Sequence, residues 1–183
     1  MGLQPFSEKL ITTIRIKAKS FDLYRATGED LPFYQELFDA CADPSLGLIP
    51  FDQSWEKFFM GECSPVITGH KHGSEEEIHL FMIYHGDIPI GIMTNRRDRS
   101  SGRERLGILI KKDYRACGIG GPFITFMAQW RYREGAIHVG AVSAKINHGC
   151  LKMLDKAGAI YLGESLETVG HLQVPCQEYQ LLC

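Results

Sequence analysis

Apolar and polar positions alternate along three stretches in the middle of the chain, and this pattern predicts an antiparallel meander. The first two strands are expected over residues 78–84 and 88–94, joined by the compact, glycine-containing connection 85–87. The third strand, over 104–110, is rich in Leu and Ile and reads as a buried central strand. The arginine-rich stretch 96–103 before it is interpreted as a solvated hairpin tip.

The rest of the chain alternates between helical and strand patterns. Helices are expected where capping residues, prolines or glycines bound a period of 3.6, and strands where short apolar runs end at turn residues. The predicted helices are 31–42, a short one at 54–60, 122–134 and 148–157; the remaining strands are 21–27, 136–142, 159–163 and 175–182, the last two joined by a longer segment, 164–174.

This order of elements predicts a mixed α/β sheet in one domain that spans residues 1–183. Residues 1–19 are taken as an irregular lead-in, in which 14–17 alternate like a short edge strand. The chain contains no internal repeat and no low-complexity segment.

The central strand leads into a glycine-bearing turn, residues 115–121, which a helix follows directly. Glycines at such a junction allow main-chain N–H groups to turn toward a ligand, and the positive end of the helix favours an anion. The turn is therefore expected to hold a phosphate. The hairpin-tip arginines lie at the opposite end of the strand, roughly 20 Å away at 3.3 Å per residue, and cannot serve the same phosphate.

Three nucleotide-binding motifs contain a glycine turn of this kind. A P-loop, G-x-x-x-x-G-K-[ST], is absent from the whole chain. A dinucleotide fingerprint fails because Phe123 stands at its third glycine and no acidic residue ends the next strand. The third motif, R/Q-x-x-G-x-G/A, fits residues 115–120, Arg-Ala-Cys-Gly-Ile-Gly.

Composition and charge narrow the class of protein without naming a partner. A net charge of -2 with 23% charged and 44% hydrophobic residues gives no electrostatic footprint for nucleic acid or an anionic membrane. No apolar run approaches the roughly 20 residues of a membrane span, and no secretory signal begins the chain, so the cytoplasm is expected.

The six cysteines include no C-x-x-C pair and are read as reduced thiols. His70 and His72 lack further ligands, so no metal site is predicted.

The loop motif and its position resemble those of the GNAT superfamily of acyl-CoA-dependent N-acyltransferases. A second motif of that family is matched at the expected spacing by Asn147, Cys150, Lys156 and Gly158, and the resemblance covers residues 21–182. It implies a mixed, mostly antiparallel sheet of six to seven strands with helices on both faces.

The resemblance also implies how acetyl-CoA, or another short acyl-CoA, is bound. Main-chain amides of the loop would hold the pyrophosphate, the end of the central strand would pair with the pantetheine amides, and Asn147 would reach the pantetheine arm. Gly107 is compatible with the bulge that opens the central strand from its neighbour in this family. The implied cofactor-binding residues are Ile108, Leu109, Ile110, Arg115, Ala116, Cys117, Gly118, Ile119, Gly120, Gly121 and Asn147.

The catalytic residues are less clearly indicated, because Leu154 stands where many family members have a tyrosine as general acid. Tyr161, Tyr114 or a water molecule are the alternatives for this role. Glu104 lies where several relatives have a base and is the candidate for accepting the amine proton. Cys117 and Cys150 are interpreted as structural. His171 and Glu167 in the last hairpin are candidates for the acceptor site by location alone.

The expected function is acyl transfer from acyl-CoA to a primary amine on a small molecule or peptide, by direct attack and without an acyl-enzyme. The departure at Leu154 keeps open an acyl-CoA-binding or sensing module that has lost its chemistry. Nucleotide binding without CoA is a third alternative. No nucleic-acid or membrane partner is expected, and the sequence leaves both the acceptor and a homodimer open.

Overall fold

Eight strands form one sheet in the described part of the chain, in the order β1-β2-β3-β4-β5-β6-β8-β7. The computed structural model describes residues 10–41, 76–169 and 172–182. The predicted helix at 54–60, the histidines at 70 and 72, and His171 lie outside these residues. The strands are β1 Leu10–Ile16, β2 Lys19–Arg25, β3 Glu76–His85, β4 Ile88–Asp98, β5 Arg103–Ile110, β6 His138–Ala144, β7 Ile160–Val169 and β8 Leu172–Gln180.

In the described ranges, three α-helices pack against this sheet, on both of its faces. They are α1 Leu31–Cys41, α2 Gly120–Arg133 and α3 His148–Lys156. Pro32 lies at the second helical position, where its missing N–H costs nothing. The predicted fold class, a mixed and mostly antiparallel sheet with helices on both faces, is confirmed.

The strand count is higher than predicted because of β1, and several predicted strands are longer because polar residues continue them beyond their apolar centres. Residues 10–16, assigned to an irregular lead-in, form β1 and pair with β2. The segment 164–174, predicted as a long connection, belongs mostly to β7 and β8, which form a hairpin. The hairpin tip predicted at 96–103 is shorter, because β4 extends to Asp98 and β5 begins at Arg103. A single domain over 1–183 stays a prediction.

The apolar residues divide into two main clusters, one on each face of the sheet. The larger lies under α2 and α3 and includes Phe81, Leu106, Phe123 and Leu154. The smaller lies under α1 and includes Tyr34, Leu37, Leu80 and Ile92. Neighbouring side chains along a strand point to opposite faces of the sheet, so β4 and β5 contribute to both clusters. We call the face of the larger cluster the α2/α3 face and that of the smaller cluster the α1 face.

All the neighbouring strands pair antiparallel except β5 and β6, which are parallel. Their connection is α2, which is the ordinary crossover between parallel strands. None of the helices in the described ranges combines the length and hydropathy that a membrane span requires.

Candidate functional site

The sheet splits between β5 and β6. The two strands pair only at Arg103↔His138, Glu104↔Val139 and Arg105↔Gly140, and pairing ends there although β5 continues to Ile110. From Leu106 onward, β5 pairs with β4, and its other edge pairs with no strand in the described parts of the chain. An unpaired strand edge in the middle of a sheet presents main-chain N–H and C=O groups to a ligand.

A cavity of about 270 Å³ fills this split. It passes through the sheet, because its lining residues come from both faces. The lining on the α2/α3 face includes Ile108, Ser143, Cys150, Met153 and Leu154, and that on the α1 face includes Tyr34, Ile92, Thr94, Arg96 and Leu109. Two ligands can therefore meet in the cavity from opposite sides of the sheet.

The glycine turn lies just beyond the C-terminal end of β5, as the sequence predicts. Ala116 and Gly118 have positive φ angles of 58° and 81°, so both residues adopt the left-handed backbone conformation. No side chain caps α2. Among the described residues, the N–H groups of Cys117, Gly118 and Ile119 donate to no protein acceptor. Together with the first turn of α2, the loop presents a group of convergent donors that suits a diphosphate.

The side chain of Arg115 holds this loop against the strand. Its Nε donates to the carbonyl oxygen of Ile110, the last residue of β5, at 2.9 Å. Tyr114 and Arg115 also donate their main-chain N–H groups to Lys111 and Lys112, which closes a short 3-10 turn before the loop. The loop is thus fixed at the end of the unpaired strand edge.

Several solved structures that are named N-acetyltransferases share this fold at low sequence identity. The apo ribosomal L7/L12 alpha-N-protein acetyltransferase superposes with a TM-score of 0.74 at 14% identity, over 100% of both chains. The ribosomal-protein-S5-alanine acetyltransferase from Vibrio fischeri gives 0.71 at 13% identity, over 92% of this chain and 95% of that one. The spermidine N-acetyltransferase from Vibrio cholerae, in complex with CoA and spermine, gives 0.68 at 16%, over 88% and 95%.

The chain has the GNAT acetyltransferase fold. No family model matches the sequence, and no curated protein matches it either. The likeness to the solved GNAT structures therefore concerns three-dimensional structure, and it confirms the fold that the motifs predicted.

Two glycines of this GNAT fold allow close approaches beside the cavity. A Cβ added at Gly107 would lie 2.6 Å from the Thr94 hydroxyl, so the Thr94 side chain occupies the space that a side chain at residue 107 would need. The register between β4 and β5 is regular there, so Gly107 forms no bulge with β4. A Cβ at Gly120 would lie 2.5 Å from the Met153 sulfur, which lines the cavity.

Asn147 lies at the start of α3 and lines the cavity. Its side-chain oxygen accepts a hydrogen bond from the Cys150 N–H at 3.1 Å, which caps the helix. The capping bond uses only the oxygen of the carboxamide, and the amide nitrogen still has two hydrogens to donate. The cap thus fixes the orientation in which Asn147 would meet a pantetheine arm.

Cys150 and Leu154 are four residues apart on α3, so they lie on the same face of the helix, which lines the cavity. Leu154 is fully buried. Burial raises the pKa of the Cys150 thiol, and a hydrogen bond with the Ser143 side chain offsets this only in part. Cys150 therefore keeps its proton at neutral pH.

Glu104 does not have the surroundings expected of a general base. Its side chain is fully buried on the α2/α3 face, where Arg131 donates to both of its oxygens, at 2.7 and 2.8 Å, and Asn95 donates at 2.9 Å. Burial alone would raise the pKa of Glu104, but these hydrogen bonds outweigh it and the pKa lies below its usual value. An ion-paired carboxylate with a lowered pKa is a poor proton acceptor, and the geometry argues against the base role predicted from sequence.

Tyr161, Tyr114 and Glu167, the other candidates that the structure describes, also lie outside the cavity lining. Tyr161 on β7 is half exposed and stacks edge-on with Tyr179. Tyr114 contacts the ring of His85. The carboxylate of Glu167 accepts a hydrogen bond from Arg105 at 3.1 Å.

Arg96 was missed by the sequence analysis, which assigned it to a hairpin tip. It lies inside β4, directly opposite Arg105 of β5, and lines the cavity on the α1 face. The last residues of β4, 96–98, are all charged, so no alternation of apolar and polar positions marks them as part of a strand. The pairing of residues 96 and 97 with Arg105 and Glu104 becomes visible only in the sheet.

Proposed function

We propose that this protein is an acyl-CoA-dependent N-acetyltransferase that transfers an acetyl or short acyl group to a primary amine. The observation that carries this proposal is the split between β5 and β6, which leads from the loop of unpaired N–H groups into a cavity open to both faces. A donor on one side and an acceptor on the other would meet in that cavity. The solved GNAT structures with this fold have acetyltransferase names, which supports the same reaction class.

The residues present fit coenzyme A. In the loop, the N–H groups of Cys117, Gly118 and Ile119 have no acceptor among the described residues, which suits the charged pyrophosphate. Residues 108–110 have an unpaired edge, along which the pantetheine amides can add like a strand. Asn147 lies at the far wall of the same cavity. The bound acyl-CoA would supply an activated acyl group as a thioester.

The protein's own contribution to the reaction is positioning and proton transfer. Main-chain N–H groups on the free edge of β5 can donate to the thioester carbonyl oxygen, where negative charge develops during attack. Holding the amine beside this carbon makes the attack effectively unimolecular. We assign no covalent role to a side chain, so transfer is direct.

We infer that Cys150 donates a proton to the departing sulfur of CoA. It lines the cavity one helical turn before Leu154, which has no proton to give, and its raised pKa keeps the thiol protonated. A general acid of this kind typically contributes 10²–10⁴ in rate. Cys150 thus takes the role for which Tyr161 and Tyr114 were considered from sequence.

The amine is proposed to react in its neutral form. The described residues that line the cavity include no Asp, Glu or His, and Glu104 is occupied by Arg131. We therefore assign to water the role of accepting the proton that the amine loses after its attack. The rate should rise with pH as more of the acceptor amine becomes neutral, as long as the Cys150 thiol keeps its proton.

The test is release of free CoA from acetyl-CoA in the presence of a panel of amines, with a reaction lacking amine as the control. Amine-dependent release, together with mass spectrometry of an acetylated amine, supports the transferase. The alternative, a CoA-binding module without chemistry, predicts tight binding of acetyl-CoA and the same slow release with and without amine. If ATP or NAD stabilises the protein against unfolding and acetyl-CoA does not, both functions are wrong.

A further inference from the structure

Two arginines face each other on the α1 face of the sheet, and only one of them is neutralised by residues that the structure describes. Arg96 of β4 and Arg105 of β5 are direct cross-strand partners. Arg105 is held by Glu167 at 3.1 Å and lies 4.0 Å from Glu178. Like charges directly opposite each other destabilise a sheet, so the pair needs compensation. The two carboxylates supply it for Arg105.

Arg96 makes no hydrogen bond or ion pair with any residue in the described ranges. Its other cross-strand neighbour, on β3, is the apolar Ile78. It is exposed and lines the large cavity, whereas Arg105 lines a separate, smaller one. A positive charge therefore lies at the cavity, and no carboxylate among the described residues neutralises it.

Arg96 lies on the acceptor side of the proposed reaction. Its partner in β5, Arg105, is five residues before Ile110, so the glycine loop is roughly 16 Å away at 3.3 Å per residue. It also lines the cavity from the α1 face, opposite the wall that contains Cys150. It is therefore too far from the loop to bind the pyrophosphate.

We propose that Arg96 binds a carboxylate of the acceptor, so that the enzyme acetylates amines carrying a nearby negative charge. A guanidinium can bind a carboxylate through two parallel hydrogen bonds, which fixes orientation as well as charge. Polyamines would be disfavoured by the same residue. This inference rests on the proposed acetyltransferase function and names its substrate class.

The experiment compares matched acceptors that differ only in a carboxylate. Suitable pairs are glutamate with glutamine, and a tetrapeptide that has Asp at its second position with the Asn version; spermidine is the cationic acceptor. Wild-type protein should acetylate the acidic member of at least one pair with a kcat/KM about tenfold to a hundredfold higher. Whether the amino acid or the peptide shows this preference distinguishes a free metabolite from a polypeptide acceptor.

Arg96→Gln should abolish the preference mainly through KM, and Arg96→Lys should keep part of it. Arg15→Gln, on the edge strand β1, is the charge-matched control and should behave like wild type. Because Arg96 has no structural partner in the described residues, Arg96→Gln should not lower the free energy of unfolding. Equal losses on acidic and neutral acceptors, or no loss at all, would overturn the assignment.

A failure of this inference can be told apart from a failure of the proposed function. Turnover of neutral or cationic amines without an acidic preference overturns only the role of Arg96. If no amine is acetylated, the proposed function is wrong, and calorimetric titration of the Asp tetrapeptide then tests Arg96 by itself. Weaker binding to Arg96→Gln than to wild type supports the carboxylate site, and equal or undetectable binding refutes it.

Discussion

Arg131 of α2 and Glu104 of β5 form a bidentate ion pair in the interior of the protein. The Nε and Nη2 atoms of Arg131 donate to different oxygens of Glu104, at 2.7 and 2.8 Å. The hydrogen bonds with Glu104 raise the pKa of Arg131, so both partners stay charged at neutral pH. Because β5 precedes the glycine loop and α2 follows it, this pair fixes the two elements that present the loop.

Removing the arginine should leave a buried carboxylate without its partner. Arg131→Met is therefore expected to lower the free energy of unfolding by about 3–5 kcal/mol. Urea denaturation followed by circular dichroism measures this difference. Arg133→Met, an exposed position on the same helix, is the control and should cost less than about 1 kcal/mol. Equal losses in the two variants would show that the ion pair has no structural importance.

The same ion pair predicts that the free energy of unfolding depends on pH in the acidic range. The pKa of Glu104 is lowered in the folded protein, so its stabilising contribution is complete above the unfolded-state pKa of about 4.3 and is lost as pH falls through the folded-state pKa. The stability advantage of wild type over Glu104→Gln should therefore shrink between about pH 4 and the acid limit of folding. Denaturant titrations at several pH values measure it. A constant or growing advantage on acidification would contradict the lowered pKa.

The glycine loop depends on a main-chain conformation that side chains disfavour. Gly118 has a φ of 81° and open space where a Cβ would lie, so Gly118→Val strains the loop without a clash. The variant should bind acetyl-CoA at least about tenfold more weakly. Gly86→Val, in the β3–β4 turn with a φ of 58° and equally open surroundings, is the matched control. Equal affinities of the two variants for acetyl-CoA in calorimetric titration would refute the loop assignment.

The role proposed for Cys150 is tested by two substitutions that remove the thiol. Cys150→Ala should lower kcat by about 10²-fold or more with little change in the affinity for acetyl-CoA, because the general acid is lost. Cys150→Ser keeps a protonated hydroxyl in the same place and should retain more activity. Steady-state kinetics of CoA release gives both values. If alanine and serine variants are as active as wild type, water donates the proton.

Local patterns were sufficient to predict the central part of the fold. The apolar residues of β5, the glycines of the loop and the helical period of α2 lie next to one another in sequence, so strand, loop and helix follow from short-range preferences. Asn147 was found from the second family motif, and the structure places it directly before α3, where its side chain caps the helix.

Long-range pairing was the part that the sequence did not reveal. Glu104 and Arg131 are 27 residues apart, and nothing in either local pattern shows that they meet. Arg96 lies in a charged stretch that resembles a turn, and only its pairing with Arg105 shows that it belongs to a strand. Burial and cross-strand neighbours, which exist only in the folded sheet, decide the roles of these residues.

The most direct test of the account is a crystal structure of the protein grown with coenzyme A. The account predicts that the diphosphate contacts the main-chain N–H groups of residues 115–121 and that the thiol lies in the split between β5 and β6, beside Cys150. Coenzyme A bound elsewhere on the protein, or absent from crystals grown at saturating concentration, would contradict it.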